Sequence, residues 1–174
     1  MKMNKVATIL VAVVFAGLGL GFSTLNAAKP QLSDALYASS LATVPAQADG
    51  KTVSLGAFRN QVLVVNFWAT WCAPCVKEMP ELSTLQTELK ASHVQFIGIG
   101  IDNPTDLTEF AQKYKITYPL FVGGMSGTQL ATDLGNKVGG LPYTVLLDKS
   151  GAVVKTYSGK LDMVQLKKDI LQLH

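Results

Sequence analysis

The sequence predicts a mixed α/β domain, with a central sheet and helices on both of its faces. Three observations carry that prediction. Residues 62–67 (VLVVNF) and 94–101 (VQFIGIGI) are continuous apolar runs, the pattern of strands buried on both sides. Between them, residues 72–90 place apolar side chains at 75, 79, 82, 85 and 89, the spacing of one helix face. Near the C-terminus, residues 143–147 and 152–158 alternate around Asp148-Lys-Ser-Gly151, a hairpin signal.

Each element follows from local chemistry. Two buried strands joined through a helix need a crossover connection, so they are expected to be parallel. The hairpin adds antiparallel strands, which makes the sheet mixed. Pro80 falls inside the 72–90 helix and is expected to kink it. Residues 104–114 read as a helix opened by Pro104 in its first turn. A short strand is expected at 119–122, and a short helix at 128–134 ended by Gly135. Asp162 caps a last helix that runs to Leu173. Upstream, 52–55 reads as a short strand and 45–50 as a loop, while 29–41 shows only a weak apolar pattern.

At 174 residues the chain suits one domain. With 48% hydrophobic and 16% charged residues, it is not a long disordered chain. The first 28 residues stand apart. Lys2 and Lys5 precede an uncharged, almost wholly apolar block at 6–22, and a small, polar stretch follows at 23–28. That is the pattern of a signal peptide or of a retained membrane anchor. Either one puts the domain at 29–174 outside the inner membrane, in a periplasmic or other extracytoplasmic space, and 6–28 allows membrane association. The formal net charge is +3, and only +1 without Lys2 and Lys5. No basic patch argues for nucleic acid. Two cysteines cannot build a disulfide framework or a four-cysteine zinc site, and with only His93 and His174 no metal site is expected.

The chemistry concentrates at Trp71-Cys72-Ala73-Pro74-Cys75. Cys72 is expected at a helix start, where unpaired N–H groups and the helix dipole favour a thiolate. Cys75 lies one turn on, within reach. A structural disulfide, half a zinc site or two unrelated core thiols would share this spacing. The strand before and the helix after favour a redox pair.

Asn66-Phe-Trp-Ala-Thr-Trp-Cys-Ala-Pro-Cys75 resembles the active site of the thioredoxin superfamily. Val76-Lys-Glu-Met-Pro-Glu-Leu82 is similar to its TlpA/ResA-like branch of extracytoplasmic thiol-disulfide oxidoreductases. Gly139-Gly-Leu-Pro-Tyr-Thr-Val-Leu-Leu-Asp148 resembles the family's cis-proline loop and the strand after it. The resemblance covers about 33–174 and implies a thioredoxin-like fold, with an extra strand–helix element near 103–135.

The resemblance implies the following chemistry. Cys72 attacks a client protein's disulfide, and Cys75 resolves the mixed disulfide. The product is a redox-active Cys72–Cys75 disulfide, and a membrane-embedded thiol reductase restores the electrons. No bound cofactor is implied. Spacing alone leaves Glu78 either as a carboxylate reaching water or as a buried acid beside the Cys75–Met79–Leu82–Leu85 stripe. The resemblance implies the buried acid, assisting proton movement at Cys75. Only about 5–6% of X–Pro bonds are cis, but the resemblance implies a cis bond at Pro142. Leu141 would then pair with an extended substrate strand. Trp71 and Pro74 would form an apolar rim for the client, while Trp68 is expected in the core. Ala73-Pro74 contains no His of the kind strongly oxidising relatives use, which leans the pair toward reduction. Tyr143 stands where cytochrome c-maturation reductases carry Glu.

Two other classes share the cysteines. A peroxiredoxin-like peroxidase needs a Thr three residues before its cysteine and an activating Arg. Here Thr70 is two residues before Cys72, and the sole Arg is Arg59. A Cu(I) carrier would hold the metal between the two thiolates.

Overall fold

A computed structural model describes residues 31–173. The expected signal or anchor at 1–28 lies outside them. In chain order the elements are α1 (Asp34–Ala38), β1 (Ser40–Thr43), α2 (Pro45–Ala48), β2 (Thr52–Ser54), β3 (Val62–Trp68), α3 (Ala73–Glu88) and β4 (Val94–Gly100). There follow α4 (Pro104–Tyr114), β5 (Leu120–Val122), α5 (Gly124–Asp133), β6 (Tyr143–Leu147), β7 (Val153–Ser158) and α6 (Met163–Leu171).

Seven strands form one sheet in the order β2-β1-β5-β4-β3-β6-β7. β3, β4 and β5 are parallel, and the strands outside them pair antiparallel. Alternation along β3 divides two apolar clusters. Val62 and Val64 face the cluster built with α3, α4 and α6. Leu63, Val65 and Phe67 face the one built with α1 and α5. Helices therefore cover both faces, and every residue of β3 is buried.

Four local expectations change. The described part of 29–41 holds α1 and the start of the strand β1, although its sequence pattern is weak. β1 is only four residues long, and its order comes from pairing with β2 on one side and β5 on the other. The 45–50 loop contains the single turn α2, closed by Asp49 in the left-handed region. β6 does not alternate. It lies between β3 and β7 under both clusters, so all five residues are buried.

The fourth change is at α5, which begins at Gly124 rather than 128. Glycine is a poor helix former, but Gly123, the N-cap of α5, sits against β4. A Cβ on Gly123 would stand 2.6 Å from Ile99 Cγ2 and 3.0 Å from the Gly100 carbonyl oxygen. Packing to the sheet selects these residues against their propensity. Pro80 lies inside α3, which continues past it without a break. Residues 103–135 hold α4, β5 and α5, with β5 set between β1 and β4.

The register locates the functional end of the sheet. Trp68, Gly100 and Val122 form one row across β3, β4 and β5. Phe67 pairs with Tyr143 at the start of β6. The segments after these three strands and the one before β6 therefore meet at one end. Gly123→Ala forces a methyl group against a β-branched side chain and backbone, and is expected to cost about 1–3 kcal/mol. Denaturant unfolding of the two proteins measures it.

Candidate active site

β3 ends at Trp68, whose carbonyl accepts the Ile101 N–H at 2.7 Å. The chain then turns sharply into α3. The Cys72 N–H donates to the Ala69 carbonyl at 3.2 Å. The Thr70 N–H donates to the Asp102 carboxylate at 3.2 Å, and the Thr70 hydroxyl donates to the same oxygen. This ties the turn to the end of β4. Cys72 is the N-cap of α3, and its Sγ accepts the Cys75 N–H at 3.4 Å. Pro74 fits in this first turn because its missing N–H would have had no helical partner.

Cys72 and Cys75 are joined in a disulfide, with their Cα atoms 5.3 Å apart. Cys72 keeps 6% of its surface exposed and Cys75 none. A reagent in solvent therefore reaches the sulfur of Cys72 first. Trp71 is 69% exposed beside it, and Pro74 is exposed too. Trp68 is buried and packs on Phe110, with ring centroids 4.6 Å apart.

The Leu141–Pro142 peptide is cis. Pro142 is buried, and its carbonyl accepts the Gly159 N–H at 2.9 Å. Leu141 is half-buried and touches both apolar clusters. Tyr143 is buried, and its hydroxyl donates to the Leu134 carbonyl at 3.0 Å, which ties β6 to the end of α5. The Pro142 loop thus meets the cysteine turn at the same sheet end.

Glu78 lies one turn deeper on α3, on the Cys75 side, with no exposed surface. Its Oε1 accepts Asn66 Nδ2 and its Oε2 accepts the Leu161 N–H, both at 3.0 Å. Burial pushes its carboxyl up to about 7. The Leu161 and Asn66 hydrogen bonds pull the other way, and of the neighbouring charges Glu81 adds to the rise. Tyr118, fully buried, has its phenol pushed up by that burial and then by the Glu78 charge. The site thus pairs a sulfur at the surface with an acid that titrates near neutrality beneath it.

The arginine that a peroxidase needs is not at the cysteines. Arg59 precedes β3 and stacks on Tyr37 at 4.2 Å, while Cys72 follows that strand's far end. Among the described residues, no three His, Cys, Asp or Glu side chains converge as metal ligands.

A family model described as Redoxin matches residues 30–170. The chain belongs to the Redoxin family. The thiol-disulfide oxidoreductase ResA of Bacillus thuringiensis subsp. konkukian is 32% identical to this Redoxin chain over 122 residues, 69% of this chain and 68% of its own. A thiol:disulfide interchange protein of the thioredoxin family from Chlorobium tepidum superposes with a TM-score of 0.68 at 23% identity, covering 78% of this chain and 92% of that one. A secreted disulfide oxidoreductase from Mycobacterium tuberculosis gives 0.67 at 18% identity, covering 80% and 99%. The fold of this Redoxin chain is thioredoxin-like. With its family and its cysteine pair, it is a thiol-disulfide oxidoreductase.

Sequence reasoning did not single out the groups that hold these residues. Asn66 donates to both Glu78 and Thr144 Oγ1, each at 3.0 Å. A lone Asn inside the run VLVVNF was the available signal. Asp102 and the Leu161 N–H carried none, because both act across the fold.

The titration of Glu78 sets a pH dependence in the disulfide form. The unfolded chain releases this proton near 4.5 and the folded protein near 7. Between these values the folded state holds more protons, so stability falls as pH rises through the window. The fall is of order 3 kcal/mol. Unfolding free energies measured from pH 4.5 to 7 are expected to show this slope, and Glu78→Gln is expected to flatten it.

Proposed function

We propose that this enzyme reduces disulfides of client proteins outside the cytoplasmic membrane. The observation that carries the proposal is the asymmetry of the pair. Cys72 caps a helix, accepts a backbone N–H and is the more accessible of the two, while Cys75 is sealed above a buried acid. The helix N-terminus stabilises an anionic sulfur at Cys72.

In the reduced protein the Cys72 thiolate attacks one sulfur of a client disulfide. A mixed disulfide forms, and the client's other sulfur leaves as a thiolate. Cys75 then loses its proton and attacks Cys72 Sγ. The Cys72–Cys75 bond forms and the client's second sulfur leaves. Two electrons have passed to the client. Glu78, poised near 7, takes the Cys75 proton and returns it when the pair is reduced again. Its route to the sulfur is short, since the two residues are a helical turn apart on α3.

The cis bond at Pro142 turns the Leu141 backbone toward the client, with Trp71 and Pro74 as the apolar rim. Ala73-Pro74 supports the reducing direction, because no His between the cysteines adds stability to the thiolate. The ResA relatives support the client class. The pattern of 1–28 supports the location, whether it is cleaved or holds the enzyme at the membrane, and a membrane thiol reductase would supply the electrons. Among the described residues no helix is long and apolar enough to cross a membrane.

Trapping in cells tests the roles. Cys75→Ala is expected to accumulate client mixed disulfides on Cys72, and Cys72→Ala to form none. Equal trapping by both variants would refute the assignment. Equilibration with glutathione is expected to give a potential below about −200 mV. A value near the −120 mV or so of a strong oxidant would reverse the direction.

A further inference from the structure

Among the described residues, three large apolar side chains stand more than two thirds bare: Met125 at 91%, Val138 at 89% and Trp71 at 69%. All three are at the end of the sheet that carries the disulfide. Trp71 and Met125 each come three residues after the Trp68–Gly100–Val122 row, Trp71 in the turn after β3 and Met125 in the first turn of α5. Val138 precedes Tyr143, the partner of Phe67, on the other side of β3. The less exposed apolar residues Leu32, Val154, Val164 and Leu171 lie near the N-terminus, on β7 and on α6.

Neighbouring strands are about 4.8 Å apart, so the ends of β5 and β6, three intervals apart, are separated by about 14 Å. An extended segment covers that in about four residues. Cys72 sits inside this span, on the β3 turn. The outer side chains also have room beside them. Nothing lies within 4 Å of where a Cβ would stand on Gly124, next to Met125, or on Gly139, next to Val138. Burying such bare apolar surface is favourable only with an apolar partner. Whatever lies here must also bring a sulfur to Cys72 Sγ.

We infer that Met125 and Val138 are outer specificity contacts, which select client segments whose cysteine is flanked on both sides by apolar side chains in extended conformation. This rests on the reductase reading above and narrows its substrate class. The cysteine meets Cys72, one flank crosses toward Met125 over the ends of β4 and β5, and the other flank reaches Val138. The exchange step itself is unchanged.

Two short peptide probes test it, each with one cysteine in a mixed disulfide with glutathione. In one probe the cysteine is flanked by Leu and Val, and in the other by Ser at the same positions. The reduced wild-type protein is expected to react about tenfold faster with the apolar probe. In Met125→Ser/Val138→Ser the preference is expected to fall to about twofold or less. Val164→Ser/Leu171→Ser, which removes exposed apolar groups on α6, is expected to keep the wild-type ratio. A wild-type ratio near one, or a ratio that the Met125/Val138 pair does not lower, overturns this inference and leaves the reductase reading standing. Reduction of neither probe by the wild-type protein would instead overturn that reading.

Discussion

A carboxylate sealed inside an apolar cluster must be given donors, and the interior of this protein is arranged around that demand at Glu78. Its two oxygens take one hydrogen bond from β3, through Asn66, and one from the chain entering α6, through the Leu161 N–H. Asn66 extends the link to β6 through Thr144. One buried group thus connects α3 to an interior strand, its neighbour and the last helix. The two donors are not enough to restore an ordinary carboxylate. Burial still dominates and leaves the acid titrating near neutrality.

The chemistry at the surface depends on a different constraint. β3 runs straight into the turn before α3, so the helix starts where the strand leaves the sheet. That places Cys72 at the helix N-terminus, where the sulfur can accept a backbone N–H. Asp102 holds the turn from the neighbouring strand end through both polar hydrogens of Thr70. Parallel β3, β4 and β5 send all their exits to one edge, and antiparallel β6 begins there. A sulfur, a cis-proline loop and bare apolar side chains therefore share one end of the molecule, while the buried acid lies behind it.

Much of this was legible along the chain. The runs 62–67 and 94–101 read as buried strands because β3 and β4 are covered on both faces. The bounds of α4 follow from Pro104 in its first turn and an apolar stripe of helical period. Cys72, Cys75 and Glu78 share one helix, so their spacing alone set their relative positions. The strand β1, the start of α5 and the full burial of β6 were not legible. β1 is ordered by partners ten or more residues away. α5 starts where its N-cap Gly123, and then Gly127, fit against Ile99. β6 lost its alternation because a second layer of helices covers the face that a hairpin alone would leave to water.

The sequence by itself determined what depends on short range. It set the apolar periods, the turn and cap residues, the one-turn spacing of the thiols and the acid, and the charged-then-apolar N-terminus. Only the tertiary structure decided what depends on burial and on convergence of distant segments. Glu78 is an ordinary acid by composition. It becomes an unusual one because β3, α6 and Tyr118 exclude water around it. Met125 and Val138 are unremarkable in the chain. They acquire meaning only when the strand order brings them to the end of the sheet that carries Cys72. Desolvation and adjacency are properties of the packed sheet, and no local pattern records them.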